Sequence, residues 1–242
     1  MGTEFNKEQF DAIYPEGIEN HYWTHARNLI LKHVLSKSEN KNILEIGCGK
    51  GVVVNFLRIS GYNISGVELA DIKPMNSVKE NVMCGTDVFK LSADKCNLID
   101  TIMLLDVIEH LENPNSFILK LNEKFPSLKQ IIITVPARQE LFSNYDIFNG
   151  HFRRYDSKTL ISEFSGLKTC AITISYFFHS LYIPAKALLN TKGKRSESIK
   201  APIGTFSKFI HRLIALFFYI EYLLLPAPIH GTSLLARVII NK

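Results

Sequence analysis

Two acidic residues flank a glycine-rich turn in the stretch NILEIGCGKGVVVNFLRISGYNISGVEL (42–69). An apolar run carries Glu45, glycines follow at positions 47, 49 and 51, and a second apolar run ends at Glu68. A glycine turn between a strand and a helix lets backbone N–H groups approach a ligand at the positive end of the helix. The pattern therefore predicts a ligand site with a carboxylate on each side of the turn.

The glycine spacing and the two acids narrow the class of ligand. A dinucleotide site of the G-x-G-x-x-G type would have its third glycine at position 52, which is Val52. Glu45 would also repel a pyrophosphate. A ligand with an ammonium group beside a carboxylate can instead pair with Glu45, and Glu68 can accept both hydroxyls of a ribose. S-adenosylmethionine, an adenosine joined to an amino acid, satisfies both acids.

Predicted strands and helices alternate along most of the chain. The strands are predicted at 42–47, 63–69, 81–87, 98–106, 129–136, 168–177 and 231–240. The helices between them are predicted at 21–36, 51–61, 73–81, 116–125 and 157–166. Alternation at this spacing indicates an α/β fold with a parallel sheet and crossover helices.

Four segments together resemble the class I S-adenosylmethionine-dependent methyltransferases: the E-x-G-x-G-x-G stretch (45–51), Glu68, GTDVFKL (85–91) and DTIMLLDVIEHLENP (100–114). They are most similar to the small-molecule branch that includes ubiquinone-biosynthesis O-methyltransferases. The resemblance covers roughly residues 20–175 and the final strand. It implies a three-layer Rossmann-like fold with a seven-stranded, mostly parallel sheet, whose last strand lies antiparallel beside the fifth. It also implies S-adenosylmethionine as cofactor and S-adenosylhomocysteine as product.

The resemblance implies cofactor contacts one position at a time. The matching positions are Arg27, Glu45, Gly47, Cys48, Gly49, Gly51, Glu68, Asp87, Val88, Leu105, Asp106 and Val107. Asp87 and Val88 match the segment that hydrogen-bonds the adenine amine and packs against its ring, and 105–107 match the strand end that lines the methionine. Arg27 matches an arginine that binds the methionine carboxylate, and a surface ion pair is its alternative.

Two histidines are candidates for the base that methyl transfer to a hydroxyl or an ammonium group requires. His151, in NGHFRRYD (149–156), is the first choice because its loop leaves the fifth strand at the ligand edge of the sheet. His110 is the second choice, with a capping or orienting role as its alternative.

Residues near these histidines are candidates for contact with the acceptor. Arg153, Arg154 and Tyr155 could orient an anionic or polar acceptor, and the alternative is a structural turn in which the arginines pair with acids. Trp23 either closes over the site or packs onto the sheet. Glu109 beside His110 is a weak signal for a metal, and we predict no metal site.

A long connection separates the sixth and seventh strands. It contains predicted helices at 179–190 and 205–225 with the basic loop TKGKRSESIK (191–200) between them. A connection of this length usually forms a lid, a substrate pocket or an interface. We therefore predict one methyltransferase domain over 1–242, with a core formed by 20–177 and 230–242 and a helical cap formed by 178–229.

The predicted helix 205–225 is apolar around almost its whole circumference. Its main stripe consists of positions 206, 209, 210, 213, 217, 220 and 224. Such a helix is buried, pairs with another chain or lies on a membrane. We expect it in the core or in a homodimer contact, with a peripheral membrane contact as the alternative. The apolar run 213–229 is interrupted by Glu221 and is shorter than the roughly 20 residues that a span needs.

The composition is that of a folded globular protein. The 242 residues are 46% hydrophobic and 21% charged, and 28 basic against 23 acidic residues give a net charge of +5. Without a dense Lys/Arg stripe, a nucleic-acid partner is not expected. Four cysteines without CxxC spacing, and no basic-then-apolar leader, predict a cytoplasmic protein that is either free or peripheral at a membrane.

These features predict an enzyme that transfers a methyl group to an oxygen or nitrogen atom of a small or amphiphilic acceptor. A cofactor-binding subunit without catalysis is the alternative, and the intact Glu45, Glu68, Asp87 and GHFRRYD (150–156) argue against it. An RNA methyltransferase is less favoured still, since DVIEHLENP (106–114) stands where an N/D-P-P-Y motif would follow the fourth strand.

Overall fold

Seven strands form one sheet in the computed structural model, which describes residues 7–37 and 42–241. The strands are β1 Ile43–Ile46, β2 Ile64–Val67, β3 Val82–Met83, β4 Thr101–Leu105, β5 Gln130–Pro136, β6 Thr169–Phe177 and β7 Ser233–Ile240. The helices are α1 Lys7–Ile13, α2 Tyr22–Leu35, α3 Val52–Ile59, α4 Ala93–Leu98, α5 Pro114–Lys124, α6 Asn144–Phe148, α7 Ser157–Ser162, α8 Tyr182–Lys192 and α9 Thr205–Leu224.

The strand order is β3-β2-β1-β4-β5-β7-β6. Strands β1 to β5 run parallel, whereas β7 lies antiparallel between β5 and β6. The predicted α/β fold and the antiparallel insertion of the last strand are therefore confirmed. The order reverses between β1 and β4, and open α/β sheets bind ligands at the carboxyl ends of the strands beside such a point.

Alternate residues of the strands belong to two apolar clusters, one on each face of the sheet. In β4, Ile102 and Leu104 join the cluster that contains α5, while Met103 and Leu105 join the cluster that contains α2 and α3. Because a strand presents successive side chains to opposite faces, both sides of β4 are apolar and buried. The central strands are thereby fixed, and the residues at their ends are held in place.

Several local predictions differ from the structure. The predicted helix at 73–81 is wrong, because only Asn76–Val78 forms a short 3₁₀ turn behind Pro74. The third strand, predicted at 81–87, is only two residues long. The fourth strand begins at Thr101 and not at position 98, because Ala93–Leu98 forms α4. The short helix α6 was not predicted. Its first turn carries a capping box between Ser143 and Asp146, the S-x-x-D pattern that marks a helix start.

Helix α9 packs along α2 and turns its predicted apolar stripe away from the sheet. The hydroxyl of Tyr219 lies 3.4 Å from Nδ1 of His33 on α2, and the Phe218 ring lies 5.2 Å from that of Phe178. Only Ala215, Phe218 and Glu221 of this helix are buried. The expectation that the stripe lies in the core is therefore wrong, because its residues are on the opposite side of the helix. Within the described ranges, the structure contains no helix with the length and hydrophobicity that crossing a membrane requires.

Candidate functional site

The turn between β1 and α3 requires glycine at alternate positions. Gly47, Gly49 and Gly51 have φ angles of +72°, +52° and +81°, in the left-handed region that side chains other than glycine rarely adopt. A Cβ on Gly47 would lie 2.8 Å from Cγ2 of Val107, and a Cβ on Gly49 would lie 2.5 Å from the Tyr14 ring. The turn therefore leaves no space for side chains, and it brings the end of β1 close to the end of β4.

Glu68 lies at the end of β2 and holds the glycine turn. Its Oε2 accepts a hydrogen bond of 2.8 Å from the Gly49 N–H, and its Oε1 accepts one of 3.0 Å from the Ala70 N–H. The side chain is mostly buried. A carboxylate oxygen has more than one acceptor site, so Glu68 can still accept hydrogen bonds from a ligand.

Glu45 is a buried acid that lacks a full set of partners. Its Oε2 has no hydrogen-bond partner among the described residues. Burial raises the pKa of Glu45 to about 8; nearby Arg27 opposes the rise and Glu68 adds to it. A cationic ligand group beside this carboxylate would supply the missing partner and lower its pKa.

Arg27 reaches from α2 to the end of β4. Its guanidinium forms an ion pair with Asp106, whose backbone adopts a φ of +55°. The guanidinium also lies 4.6 Å from the centroid of the Trp23 ring, and that ring stacks on Phe178 at 5.7 Å. The ion pair that was the alternative for Arg27 is therefore present, but it is mostly buried, with exposed fractions of 13% for Arg27 and 27% for Asp106. The role of Arg27 in binding the methionine carboxylate stays a prediction. Trp23 forms a wall beside Arg27.

The other predicted cofactor contacts lie at the same edge of the sheet but are less open. Oδ1 of Asp87 accepts a 2.9 Å hydrogen bond from the Phe89 N–H and caps a short 3₁₀ turn. Three of the predicted contact residues have buried side chains, which pack below the glycine turn and the strand ends: Cys48, Val88 and Leu105. Val107 is half-buried and packs against Gly47.

A cavity of about 980 Å³ borders the glycine turn on its outer side. Tyr14, Lys50 and Ala70 line it together with residues of the loop that follows β2. The cavity does not include the end of β4, and none of the cluster residues Glu45, Glu68, Arg27 and Asp106 lines it. The convergence of Glu45, Glu68, Arg27 and Asp106 marks the site better than the size of this cavity, because these buried charged groups are what a polar ligand would satisfy.

His151 is held by a buried ion pair at the end of the loop that follows β5. Its Nδ1 lies 2.8 Å from Oδ1 of Asp146. Arg154 donates to both oxygens of that carboxylate, at 2.8 Å from Nε and 3.0 Å from Nη2. Burial alone would raise the pKa of Asp146, but hydrogen bonds from His151 and Arg154 and the Arg154 charge hold it at about 2. Asp146 therefore fixes the ring orientation of His151 and leaves Nε2 for another partner.

His110 and Glu109 complete a cluster with His151. The two imidazole rings lie 4.7 Å apart, and burial together with His151 lowers the pKa of His110 to about 3. Glu109 is fully buried, burial raises its pKa well above the ordinary value, and neither of its carboxylate oxygens has a partner among the described residues.

These three side chains could hold a divalent cation. One ligand atom from each of Glu109, His110 and His151 lies within 4.8 Å of the others, and imidazole with carboxylate is a ligand set that suits transition metals. The prediction of no metal site rested on Glu109 and His110 alone. It could not include His151, because the loop after β5 brings that residue in from 41 positions further along the chain.

The three residues that follow Phe152 were expected to contact the acceptor, but their side chains do not point into the site. Arg154 is buried in its pair with Asp146, and Tyr155 is buried in the core with its hydroxyl 3.4 Å from the Ile108 carbonyl. Arg153 donates to the carbonyl oxygens of Leu111 and Glu112 at 3.2 and 3.0 Å. The prediction of acceptor contacts is therefore wrong for Arg154 and Tyr155, whose side chains are buried. Arg153 is engaged by backbone carbonyls.

Tyr14 and Asp146 are site residues that the sequence did not indicate. Burial raises the pKa of Tyr14, which lies near Arg27, Glu68 and Glu45 and whose ring covers Gly49. The capping pattern beginning at Ser143 could have located Asp146 on a helix start. Nothing in the sequence spacing pairs Asp146 with His151.

Comparison with known proteins supports a common fold. Residues 19–167 match the family model described as "Methyltransferase domain". A ubiquinone biosynthesis O-methyltransferase of Rickettsia typhi is 38% identical over 109 residues, which are 41% of this chain and 43% of that protein. The chain spans about a third to just over half of the length of the curated relatives it matches.

Two solved structures have the same fold at low sequence identity. A SAM-dependent methyltransferase from Archaeoglobus fulgidus is 16% identical, with a TM-score of 0.50 over 90% of this chain and 93% of that one. The plantazolicin methyltransferase BamL, in complex with a triazolic desmethylPZN analog and SAH, is 17% identical, with a TM-score of 0.51 over 97% and 89%.

Proposed function

The chain belongs to the methyltransferase domain family, and from that premise we propose that it transfers a methyl group from S-adenosylmethionine to an oxygen or nitrogen atom of a small or amphiphilic acceptor. The observation that carries the proposal is the buried Glu45 carboxylate beside Arg27. One of its oxygens has no partner among the described residues. A zwitterionic amino-acid group supplies both an ammonium for Glu45 and a carboxylate for Arg27.

The remaining parts of the cofactor fit the same edge of the sheet. Glu68 offers acceptor sites to the ribose hydroxyls, and it is already fixed by the N–H groups of Gly49 and Ala70. Asp87 caps the turn after β3, and its second oxygen is available for an adenine amine. Arg27 would have to divide its donors between Asp106 and the incoming carboxylate, which its five N–H groups allow.

The cofactor supplies an activated methyl group on a sulfonium when it is bound. The chain must position the acceptor and accept its proton. His151 is suited to the second task because Asp146 holds Nδ1, which leaves Nε2 free to take a proton. The Asp146 carboxylate then stabilises the imidazolium that forms, as in other Asp–His pairs. His110 is less suited, since its pKa of about 3 makes it a weak base near neutral pH.

The segment 178–229 supports the proposed cap over the acceptor. Asn144 donates through Nδ2 to the Arg195 carbonyl at 3.0 Å, and the Arg195 guanidinium lies 4.3 Å from the Tyr145 ring centroid. The hydroxyl of Tyr182 on α8 donates to Glu140 at 2.9 Å. These contacts join the connection between α8 and α9 to the loop that carries His151, and water exclusion there would favour methyl transfer.

Calorimetry and a turnover assay test the proposal together. We expect S-adenosylmethionine and S-adenosylhomocysteine to bind the protein, and Glu45→Gln to bind both more weakly. S-adenosylhomocysteine release should rise when a phenol, amine or sugar of the correct class is added. Absence of cofactor binding would overturn the proposal. Binding without turnover on any acceptor or crude cell extract would instead favour a non-catalytic, cofactor-binding subunit.

A further inference from the structure

The outer surface of α9 is a continuous apolar stripe. Phe206, Phe209, Leu213, Phe217, Ile220 and Leu224 recur at helical spacing and are between 44% and 77% exposed. Among the described residues, fifteen of the twenty-one exposed large apolar side chains lie between positions 183 and 229. We call the surface that these fifteen apolar side chains form the α8–α9 face. Large apolar patches on a protein surface usually mark a binding site for a partner or a membrane.

The acidic residue of α9 is directed away from this face. Glu221 is buried, and it accepts hydrogen bonds from the backbone N–H groups of His179 and Ser180 at 2.9 and 2.7 Å. It therefore caps the chain before α8 and contributes no negative charge to the exposed surface. Glu221 interrupts the apolar run in the sequence, but it does not interrupt the exposed apolar stripe, because its side chain is buried.

The segment that carries the α8–α9 face is rich in basic residues. Residues 178–230 contain seven Lys and Arg against two Glu, a net charge of +5 that equals the net charge of the whole chain. Among the described residues, no salt bridge involves any of these seven basic side chains. Lys208 and Arg212 lie on α9 itself, before the wholly uncharged stretch 213–220. Arg195 is directed to the Tyr145 ring and not to the face. The other six basic side chains, which include Lys208 and Arg212, form the basic margin of a face with an apolar centre.

We propose that the α8–α9 face binds the surface of a bilayer that contains anionic phospholipids. The apolar stripe would enter the boundary between headgroups and acyl chains, and the basic margin would meet the phosphates. A second copy of the chain fits less well. Pairing the stripes of two copies would bring two basic margins together without acids to neutralise them.

The position of the face connects it to the candidate site. The Tyr22 N–H on α2 donates to Nδ1 of His211 on α9 at 3.1 Å, and the Tyr22 ring lies 5.8 Å from that of Phe218. Arg27 and Trp23 lie on the same helix α2. A protein docked through α9 would therefore hold the edge of its site close to the lipid surface. The docking itself does not depend on the methyl-transfer proposal.

Vesicle flotation with the 242-residue chain tests the docking. We expect the protein to float with phosphatidylcholine vesicles that contain one-third phosphatidylglycerol, and much less with pure phosphatidylcholine. Added salt should weaken the binding. Lys208→Glu with Arg212→Glu should reduce the apparent affinity at least tenfold, since each basic residue near an anionic surface is worth on the order of fivefold. Phe217→Ser with Leu224→Ser should abolish the binding.

Controls separate docking from misfolding and from dimerisation. Ile59→Ser removes an 80% exposed apolar side chain of α3, outside the α8–α9 face, and should not change flotation. Circular dichroism and S-adenosylhomocysteine binding report whether each variant is folded. Two results would overturn the proposal: no vesicle binding by the folded wild-type protein, or a stable dimer in sedimentation that Phe217→Ser with Leu224→Ser converts to a monomer and that vesicles do not disrupt.

Discussion

The imidazole of His151 and the carboxylate of Asp146 form a hydrogen-bonded pair, with Nδ1 2.8 Å from Oδ1. Arg154 donates to the same carboxylate and helps to hold the pKa of Asp146 at about 2. Asp146 is therefore ionised at neutral pH. The pair is anchored on α6 through the Ser143 N–H, which donates to Oδ2 of Asp146 at 2.9 Å. A rigid, charged partner therefore orients His151 next to Glu109 and His110.

We expect His151→Ala to lower turnover by about 10²- to 10⁴-fold, the usual loss when a general base is removed. Cofactor affinity should be nearly unchanged, because the proposed cofactor contacts come from α2 and from the ends of β1 to β4. Initial rates at saturating cofactor and calorimetry with S-adenosylhomocysteine measure the two effects separately. If His151→Ala retained full activity while His110→Ala did not, the roles of the two histidines would be exchanged.

Chelation distinguishes a base from a metal ligand at the same position. Activity that persists in EDTA supports His151 as a base. Activity that is lost in EDTA and restored by a divalent cation, with parallel losses in Glu109→Gln and His110→Ala, would assign His151 to a metal site instead.

Glu68→Ala should weaken cofactor binding about tenfold to a hundredfold. The substitution leaves two ribose hydroxyls poorly paired, which costs about 1.5–3 kcal/mol, and it also removes the acceptor for the Gly49 N–H. Calorimetry with S-adenosylmethionine gives the affinity. Glu80→Ala is the control, since it removes an exposed acid that does not line the cavity beside the glycine turn, and this variant should bind the cofactor normally. Unchanged affinity in Glu68→Ala would refute the ribose assignment.

Cofactor affinity should increase with pH up to about 8. Burial raises the pKa of Glu45 to about 8 in the ligand-free protein, so the group carries a proton at neutral pH. An ammonium ligand favours the carboxylate, and binding below pH 8 must therefore release that proton. The dissociation constant should fall by up to about tenfold per pH unit towards pH 8 and then level off.

Glu45→Gln tests the origin of this pH dependence. The variant has no proton to release at position 45, so its affinity should be low and nearly independent of pH between 6 and 8. Calorimetry of S-adenosylhomocysteine in buffers of different ionisation enthalpy measures the released proton directly. A wild-type protein that releases no proton would show that Glu45 is not the partner of the ammonium group.

The parallel strands and the acids at their ends were predictable because both follow from local patterns, whereas the antiparallel position of the last strand was implied only by the resemblance to class I methyltransferases. Apolar runs that end at Glu45, Glu68 and Asp106 define parallel strands, and parallel strands bring their carboxyl ends to one edge. The glycines that must adopt positive φ angles were also visible in the sequence.

Contacts between distant segments could not be predicted from the same patterns. The sequence does not show that Arg154 turns inward to Asp146, so a basic run was interpreted as an acceptor site. In α9 the periodicity defined a stripe correctly but not which side faces the protein. The inner side is set by smaller and polar residues, Ala215 and Glu221, together with Phe218.

Gly49→Ala should destabilise the protein more than Gly61→Ala. Both glycines have positive φ angles, +52° and +91°, so alanine costs about 1–2 kcal/mol of backbone strain at either position. At Gly49 the new Cβ would also meet the Tyr14 ring at 2.5 Å, whereas at Gly61 it would meet nothing within 4 Å. Overpacking typically adds about 1–3 kcal/mol, so the loss at Gly49 should be about 2–5 kcal/mol. Urea denaturation of each variant measures these differences in the free energy of unfolding.

The double variant Gly49→Ala with Tyr14→Ala separates the two causes. Removing the Tyr14 ring should recover the overpacking part of the loss at Gly49 and leave the backbone strain. Cofactor affinity should stay low, because the turn that presents the Gly49 N–H to Glu68 remains distorted. Equal free energies of unfolding for Gly49→Ala and Gly61→Ala would mean that Tyr14 moves away from the turn at little cost, and the ring would then not be a fixed wall of the cofactor site.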